Sequence, residues 1–423
     1  MFKFIVQCVL FFLIWLRNKK VKGDWKAPSS FLLGIYLFSA ICSIPALYFG
    51  DFVEPYQSEY WFAIIKFSLL VLLFLAPFLI FNEKKTKRMV LPSRGFLDVF
   101  SVVIIVLSFY AIFYYADTAR SVLSSADIAD YRNMVASGEE YSGGGIFNTI
   151  ASVSSSLYVF ALLLFFVYVA IEGMRTRAVL LFISSFSEMF HVFTFAGRDG
   201  VVFWLFSFVF LWGIFNTYLQ HEVNSKLKRT LIIAGLLMAV PFMIISTSRF
   251  GDSSNGTAYS LVSYMGQSFV NGPLYFGIDN PPVQNSGFVL INEIFHIKSE
   301  GSIGLTQIGD WKSWTFGTLV VSLHQKLNGD LGLISFELAA FVLFLIVMGR
   351  KKYSLKLNHI FIYILYFQVL SQGVFYFRQF TRGGNLFIIL CLLGALSLLL
   401  FGNSKHPVVL YPYEKGKKSV RSK

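Results

Sequence analysis

The stretch YWFAIIKFSLLVLLFLAPFLIF at residues 60–81 decides the fold class, because Lys66 is its one charged residue. A bilayer core about 30 Å thick is crossed by about 20 apolar helical residues, so this stretch has the length and composition of a transmembrane helix. A basic segment, NEKKTKR, follows it directly. Such a segment is typical of the water-exposed end of a span.

The same pattern recurs along the whole chain. Of its 423 residues, 56% are hydrophobic and 14% are charged, which is too much apolar surface for the core of a soluble protein of this length. The composition predicts an all-α polytopic membrane protein with about eleven transmembrane helices, forming a single membrane domain over residues 1–423. The predicted spans are residues 2–16, 31–48, 60–81, 96–116, 146–171, 178–195, 201–219, 231–245, 331–348, 360–377 and 386–401.

The loops between these spans differ in charge. One alternate set carries 25 of the 36 Lys and Arg residues, and the other set carries nine. By the positive-inside rule the first set is cytoplasmic, so the amino terminus lies outside and the carboxyl terminus inside. The net charge of +13 therefore reflects orientation in a lipid bilayer, and no nucleic-acid partner is expected. The cytoplasmic set comprises residues 17–26, 82–96, 172–177, 220–229, 349–357 and the tail from 402.

Arginines are concentrated on the predicted outer side, where positive charge is normally avoided. Six of the nine outer basic residues are arginines, and Arg198, Arg249, Arg378 and Arg382 lie at predicted helix ends, in GRDG, STSRFGD and FRQFTRGGN. The planar fork of arginine binds phosphate, and helix amino termini add partial positive charge. These residues predict a site for a lipid-linked phosphate or diphosphate. The alternative for Arg198 is an interfacial turn, in which its side chain reaches the lipid headgroups and Asp199 caps the next helix.

Residues 246–330 form one large predicted external loop, in which we expect short interfacial helices. The loop is rich in Tyr, Trp, Asn, Gln and Gly. This composition suits sugars, whose ring faces stack on aromatic rings and whose hydroxyls pair with amides. Loops of this length are usually functional. Its segment TFGTLVVSLHQKL, at 315–327, predicts a short amphipathic or re-entrant helix lying at the surface.

The layout of the chain resembles the Wzy-type O-antigen, or oligosaccharide repeat-unit, polymerase family. The features that carry the resemblance are about eleven spans, a midway turn containing Gly-Arg, a Thr-Ser-Arg end to the following helix, a large outer loop closing on Phe-Gly-Thr and LNGDLG, and a late arginine turn. The resemblance implies a bacterial inner-membrane glycosyltransferase that moves a growing glycan from undecaprenyl diphosphate to a hydroxyl of a new lipid-linked repeat unit. Its product would be an O-antigen, a capsule or an exopolysaccharide, and a chain-length regulator protein is an implied partner.

The implied reaction uses no metal ion or cofactor. The resemblance assigns Arg198, Arg249, Arg378 and Arg382 to substrate binding. Arg249 is also taken as catalytic, since arginines neutralise the charge that develops on a departing diphosphate. His324 in SLHQKL is the first choice for the general base, and the second is the histidine of EIFHIK, at position 296, because imidazole titrates near neutral pH. A surface histidine without a catalytic role is the alternative for both.

Three ionisable groups lie inside predicted spans. Glu188 and His191, three residues apart on one helical face, form either a buried relay or an ordinary packing contact in which Glu188 pairs with a cation such as Lys66. Glu337 is expected to be a satisfied interior acid.

Two other functions share the membrane location. A multi-span glycosyltransferase using a lipid monophosphate sugar would rely on early outer acids, for which the sequence offers Asp51, Glu54 and Glu59. A lipid-linked oligosaccharide flippase would place basic residues within helices that line a cavity, and it would not need a large outer loop.

Overall fold

The structure is a computed structural model that describes residues 2–23, 25, 27–49, 60–82, 85–125, 127–137, 145–250, 256–278, 281, 283, 287–296, 317–348, 354–401, 406–413 and 420–422. Its helices are α1 (Phe2–Lys22), α2 (Pro28–Phe49), α3 (Tyr60–Ile80), α4 (Arg94–Leu123), α5 (Ile128–Ser137), α6 (Ile146–Ser155), α7 (Tyr158–Glu172), α8 (Thr176–Ser184), α9 (Ser187–Phe193), α10 (Asp199–Phe215), α11 (His221–Phe250), α12 (Gly256–Phe276), α13 (Val289–Ile294), α14 (Thr318–Lys326), α15 (Asp330–Met348), α16 (Leu357–Gln372) and α17 (Arg382–Phe401). The strands are β1 (Arg88–Leu91), β2 (Ser354–Lys356), β3 (Val408–Leu410) and β4 (Val420–Ser422). Each predicted span falls on one helix or on a broken pair of helices.

Several of these helices are able to cross a membrane. Within the described residues, α2, α3, α4, α11, α15, α17 and α10 together with the 3-10 turn that extends it to Tyr218 are long and apolar enough, and the pair α6–α7, bent by 42°, is an eighth candidate. Helix α16, with 16 residues, and the two short helices α8 and α9 fall below this length. The chain is therefore a helical protein with several helices long and apolar enough to cross a membrane, and the number eleven stays a prediction.

The chain forms two compact units. Unit 1 comprises Met1–Thr86, Ala258–Lys352 and His359–Gly394, and unit 2 comprises Lys87–Thr257, Tyr353–Asn358 and Ala395–Lys423. The prediction of a single membrane domain stays a prediction, and each unit is described by itself.

Aromatic packing holds the centre of unit 1 together. The ring of Phe78 on α3 stacks on Tyr363 of α16 with a centroid separation of 4.7 Å, and Phe344 of α15 lies 5.0 Å from Tyr366. Helix α12 packs closely on α2, because a β-carbon at Gly266 would lie 2.2 Å from a backbone oxygen of that helix. The 246–330 segment thus contains a long helix whose second half is buried, in addition to the short helices α13 and α14, and its placement as an external loop stays a prediction.

Helix α7 is the centre of unit 2. All of its residues from Tyr158 to Ala170 are buried, and α4, α8 and α10 pack around it. Its Phe165 and Phe166 contact Phe208 of α10 at 6.2 and 5.1 Å between ring centroids. A helix that is apolar on every face is expected in such a central position.

A small sheet in unit 2 adds β-structure to the predicted all-α fold. Its strand order is β2-β1-β3-β4, with β1 parallel to β2 and antiparallel to β3, and β3 antiparallel to β4. All four strands come from the 82–96 loop, the 349–357 loop and the tail, which the charge pattern assigns to the same side. Strands of three or four residues give almost no periodic signal in a sequence, which explains why they were not predicted.

Candidate functional site

Helix α14 lies in unit 1 against the segment that follows α16. The backbone nitrogen of Thr318 donates to the carbonyl of Phe375 at 2.9 Å, and that of Phe377 donates to the hydroxyl of Ser322 at 3.3 Å. Every residue of α14 except Ser322 and Lys326 is buried. The helix is therefore enclosed by protein, and the prediction that it lies at the surface is wrong.

The imidazole of His324 on α14 is held between two side chains from other helices. The hydroxyl of Tyr275 lies 2.9 Å from its Nδ1, and Oδ1 of Asp330 lies 3.4 Å from its Nε2. Asp330 is also paired with Nζ of Lys66 at 2.8 Å, which replaces the expected pairing of Lys66 with Glu188. Burial lowers the pKa of His324, while the Asp330 carboxylate partly raises it and Lys66 lowers it further. The imidazole is thus neutral near pH 7, and the Asp330 carboxylate next to it stabilises its charged form when it accepts a proton.

The side chains of His324 and Asp330 differ in their exposure to solvent. The His324 side chain is 5% exposed and the Asp330 side chain is 52% exposed. A tight turn brings them together, with Asn328 and Gly329 both in the left-handed region at φ 61° and 83°. The Asp330 side chain is therefore the solvent-exposed member of the pair, and His324 is the buried one. The sequence predicts instead that the histidine itself contacts the substrate.

The turn before α17 lies in the same unit as α14. A 3-10 turn, Arg378–Phe380, precedes α17; the half-buried Arg378 begins this turn, and the exposed Arg382 begins α17. Asn385, which is 2% exposed, accepts a hydrogen bond from the backbone nitrogen of Leu290 at 2.8 Å and donates one to the carbonyl of Gln379. A buried amide thus fixes the turn that carries both predicted arginines.

Other charged groups lie next to these arginines. Arg382 forms a forked ion pair with Glu293 of α13, with contacts of 2.5 and 3.0 Å to Oε1. Both side chains are exposed, so the pair contributes little stability and an anionic ligand can displace the glutamate. Lys326 of α14 lies with Nζ 5.3 Å from the ring centre of Phe380, and burial lowers its pKa. Lys326 was not predicted as a site residue, because a single lysine in an apolar helix forms no motif.

An apolar cavity of about 240 Å³ adjoins this turn within unit 1. Phe288, Phe377 and Asn385 line it near the turn, and Leu343 of α15 and Leu392 of α17 also line it. Unit 1 thus combines a basic turn with an apolar space beside it.

Arg198 occupies the turn between α9 and α10 in unit 2. Its Nη1 donates to the hydroxyl of Ser246 at 2.9 Å, and its guanidinium lies 4.5 Å from the ring centre of Phe250 on α11. The residue is 5% exposed. Gly197 is needed here, since a β-carbon would lie 2.6 Å from the side chain of Val192. The interfacial interpretation, in which Arg198 reaches the lipid headgroups, is therefore wrong for this buried side chain.

A second arginine from the predicted outer side contacts the same turn. Arg132 of α5 donates to the carbonyl of Phe195 at 3.2 Å, and the Tyr131 hydroxyl donates to that of Thr194 at 2.9 Å. Arg132 lies in the loop after the predicted span 96–116, on the predicted outer side, and has no assigned role. Arg249 lies in the last turn of α11, and its side chain is outside the described part.

Unit 2 has an apolar cavity of its own, of about 380 Å³. Met189 and Phe193 of α9 line one side, and Leu237, Met238 and Pro241 of α11 line the other. The next residue of α11, Phe242, has its ring centre 5.8 Å from the guanidinium of Arg198. The cavity and Arg198 therefore contact the same helix, α11, at neighbouring positions.

Two further predictions, for Asp199 and Glu337, are corrected, and of the two alternatives for His296 the surface histidine fits its exposure. Asp199 is the first residue of α10 and Arg198 is the N-cap, so Asp199 does not cap the helix. His296 is exposed after α13 at a positive φ of 51° and lies in no cluster of the described residues. Glu337 is 1% exposed, and neither carboxylate oxygen has a hydrogen-bond partner among the described residues, so it is not a satisfied acid.

The described residues contain no group of three or more His, Cys, Asp or Glu side chains that could hold a metal ion. The early acids Asp51, Glu54 and Glu59 lie outside the described residues.

No family model, curated protein or solved structure matches the chain. The resemblance to the repeat-unit polymerases therefore stays an expectation from the sequence.

Proposed function

We propose that the protein is a polymerase of lipid-linked oligosaccharide repeat units, a metal-independent glycosyltransferase of the bacterial inner membrane. It transfers a growing glycan from undecaprenyl diphosphate to a hydroxyl of a new lipid-linked unit at the outer face. The observation that carries the proposal is that each compact unit has an apolar cavity whose lining includes a chain neighbour of Arg378 in unit 1, and a chain neighbour of an Arg198 contact, Phe242, in unit 2. A polymerase of this kind holds two lipid-linked substrates at once, a donor and an acceptor.

The charges and the cavities fit ligands of this class. An isoprenoid chain is apolar and suits the cavities, and the diphosphate suits an arginine that presents a planar fork. In unit 1 the phosphate ligands are assigned to Arg378 and Arg382, with Glu293 displaced on binding. In unit 2 they are assigned to Arg198 and Arg249. The buried position of Arg198 supports this role, because a charge-assisted hydrogen bond is stronger away from water.

The proposed reaction uses the Asp330–His324 pair as proton acceptor. A hydroxyl of the acceptor attacks the anomeric carbon of the donor glycan, and the bond to the diphosphate oxygen breaks with its electrons leaving on the diphosphate. The proton of the hydroxyl passes through Asp330 to His324, whose lowered pKa keeps it neutral beforehand. The arginines stabilise the charge on the departing diphosphate.

A flippase for the same lipid is a second candidate, which one observation favours. Arg198 is buried against α11, the helix that also lines the apolar cavity of unit 2, and a buried basic residue within the helices is what a transported lipid diphosphate would require. A flippase, however, needs one lipid-linked substrate at a time.

The number of bound lipids distinguishes these functions. Native mass spectrometry of the full chain in nanodiscs with undecaprenyl diphosphate should detect up to two molecules per chain. Arg198→Ala should remove one molecule and Arg382→Ala the other, while Arg120→Ala, at an exposed position on α4, should remove neither. A maximum of one molecule, or equal binding of undecaprenyl monophosphate, would contradict the proposal.

The surface glycan of cells that lack the protein tests whether it polymerises repeat units. Loss of the protein should reduce the ladder of surface glycan to single repeat units, which are still displayed outside. If the lipid-linked units instead accumulate on the inner face, the flippase is the correct assignment.

A further inference from the structure

Glu337 is a buried acid in an otherwise apolar stretch of α15, in unit 1. It is 1% exposed, and neither carboxyl oxygen has a hydrogen-bond partner among the described residues. The other ionisable residue of α15 is Asp330, at its first position. Because α15 is long and apolar enough to cross a membrane, an acid this far along it is costly and points to a functional site.

The titratable and charged groups on the helices around α15 leave Glu337 without a partner. Lys66 of α3 is paired with Asp330 at 2.8 Å, and the hydroxyl of Tyr366 donates to the carbonyl of Phe74 at 3.1 Å. A carboxylate buried without a partner is strongly disfavoured, and such a group takes up a proton instead. Within the described part of the chain, Glu337 forms no hydrogen bond or ion pair with any of these groups: Lys66 of α3, His324 and Lys326 of α14, His359, Tyr363 and Tyr366 of α16, and Arg382 and Cys391 of α17.

The apolar cavity of unit 1 adjoins the same part of α15. Its lining includes Phe336, directly before Glu337, and Phe344, two helical turns after it. Residues seven apart differ by only about 20° around a helix, so Glu337 and Phe344 leave α15 on nearly the same side. Both are buried. Apart from Tyr366 and Asn385 the lining side chains are apolar, so the lining offers an ionised Glu337 no counter-charge.

We propose that Glu337 is a proton-binding site of unit 1, a neutral carboxylic acid at neutral pH whose proton keeps the neighbouring cavity free of water. When the O–H bond breaks, the proton passes to a solvent base and the electron pair stays on the carboxylate. The carboxylate then draws water into the cavity, because a buried charge without a partner is stabilised by hydration. A cavity of about 240 Å³ has room for several water molecules.

The proton and an apolar ligand of the cavity are thereby linked. An apolar chain occupies the dry cavity and is displaced by water when Glu337 ionises. Each therefore strengthens the binding of the other by the same factor, as linkage requires. The choice of an isoprenoid as this ligand rests on the proposed function, whereas the neutral state of Glu337 does not.

Infrared difference spectroscopy of the full chain in lipid nanodiscs tests the proton site. Wild-type protein should show a protonated carboxylic-acid C=O band at neutral pH that is lost at alkaline pH and is absent from Glu337→Gln. Asp330→Asn, on the same helix, is the matched control, because Asp330 is half exposed and paired with Lys66. It should remove a carboxylate band and leave the protonated-acid band in place.

The stability of Glu337→Gln provides a second measurement. The amide has the shape of the neutral acid and does not ionise, so this variant should melt at or above the wild-type temperature at neutral pH. The proton site is overturned if Glu337→Gln removes a carboxylate band, or if the variant melts at a lower temperature or does not fold.

Undecaprenol tests the link to the cavity. Adding it to wild-type nanodiscs should move the loss of the Glu337 acid band to higher pH. Ala340→Phe adds a ring at the smallest residue of the cavity lining, so it should keep the band and abolish this shift. A wild-type band that does not respond to undecaprenol would refute the link. None of these readouts needs glycan synthesis, so the proton site and the proposed function can fail separately.

Discussion

Replacing Arg198 with lysine separates a phosphate-binding role from a purely structural one. The change keeps the positive charge and removes the planar fork, including the 2.9 Å bond to Ser246 and the flat contact with Phe250. One charge-assisted hydrogen bond contributes about 1.5–3 kcal/mol. If one such bond to a diphosphate is lost, the rate of polymerisation should fall by about 10- to 150-fold, since 1.36 kcal/mol corresponds to about tenfold.

The assay is single-turnover glycan extension by the full chain in nanodiscs, with lipid-linked repeat units as both donor and acceptor. Ser246→Ala is the matched control, because it removes the same internal hydrogen bond and leaves the arginine fork intact. It should cost about 1.5–3 kcal/mol of stability, because the bond it removes is also charge-assisted, and leave the extension rate within a few-fold of wild type. Asp199→Asn should also be tolerated, since a charge in the first helical turn contributes only about 0.3–1 kcal/mol.

The outcome that refutes the phosphate role is specific. If Arg198→Lys and Ser246→Ala lower the rate and the melting temperature by the same amounts, the contribution of Arg198 is the internal contact with α11. Its turn is then a packing element of unit 2, and the diphosphate ligands must be sought elsewhere.

Three other predictions concern the pH dependence of stability, the packing at Gly197 and the orientation in the membrane. Because burial lowers the pKa of His324, the folded chain binds fewer protons than the unfolded chain below about pH 6.5, so its melting temperature should fall on acidification. His324→Gln should remove that part of the fall, and an unchanged pH dependence would contradict it. Gly197→Ala should destabilise the protein by about 1–3 kcal/mol in thermal unfolding, because the added methyl group overlaps a neighbouring valine; wild-type stability would show that the turn relaxes. A reporter at residue 285 should be external and one at residue 423 cytoplasmic, and a cytoplasmic reporter at 285 would reverse the predicted orientation.

The positions of most helices follow from the sequence. Hydropathy is a local property of a stretch of chain, so residues 60–81 predict the helix Tyr60–Ile80 without reference to the rest of the protein. Where the prediction was incomplete, the signal was too short or too mixed. The strands of three or four residues had no measurable period, and the polar first half of α12 hid a long helix within a predicted loop.

The candidate site residues were predicted individually, but their surroundings were not. Arginines at helix ends are visible in the sequence as violations of the charge rule, which is why Arg198 and Arg382 were found. The burial of Arg198 and the ion pair of Arg382 with Glu293 follow from packing. The same limit explains why Glu337 was expected to have a partner and has none among the described residues.

By itself, the sequence determined that this is a helical membrane protein and which of its loops share a charge. Only the tertiary structure decided that Lys66, Tyr275, His324 and Asp330 meet, the first and last of these being 264 residues apart. The physical reason is that apolar helices pack on one another with little preference encoded in their hydropathy. Hydrogen bonds and ion pairs, by contrast, depend on separations of about 3 Å that arise only when distant segments are brought together by the fold.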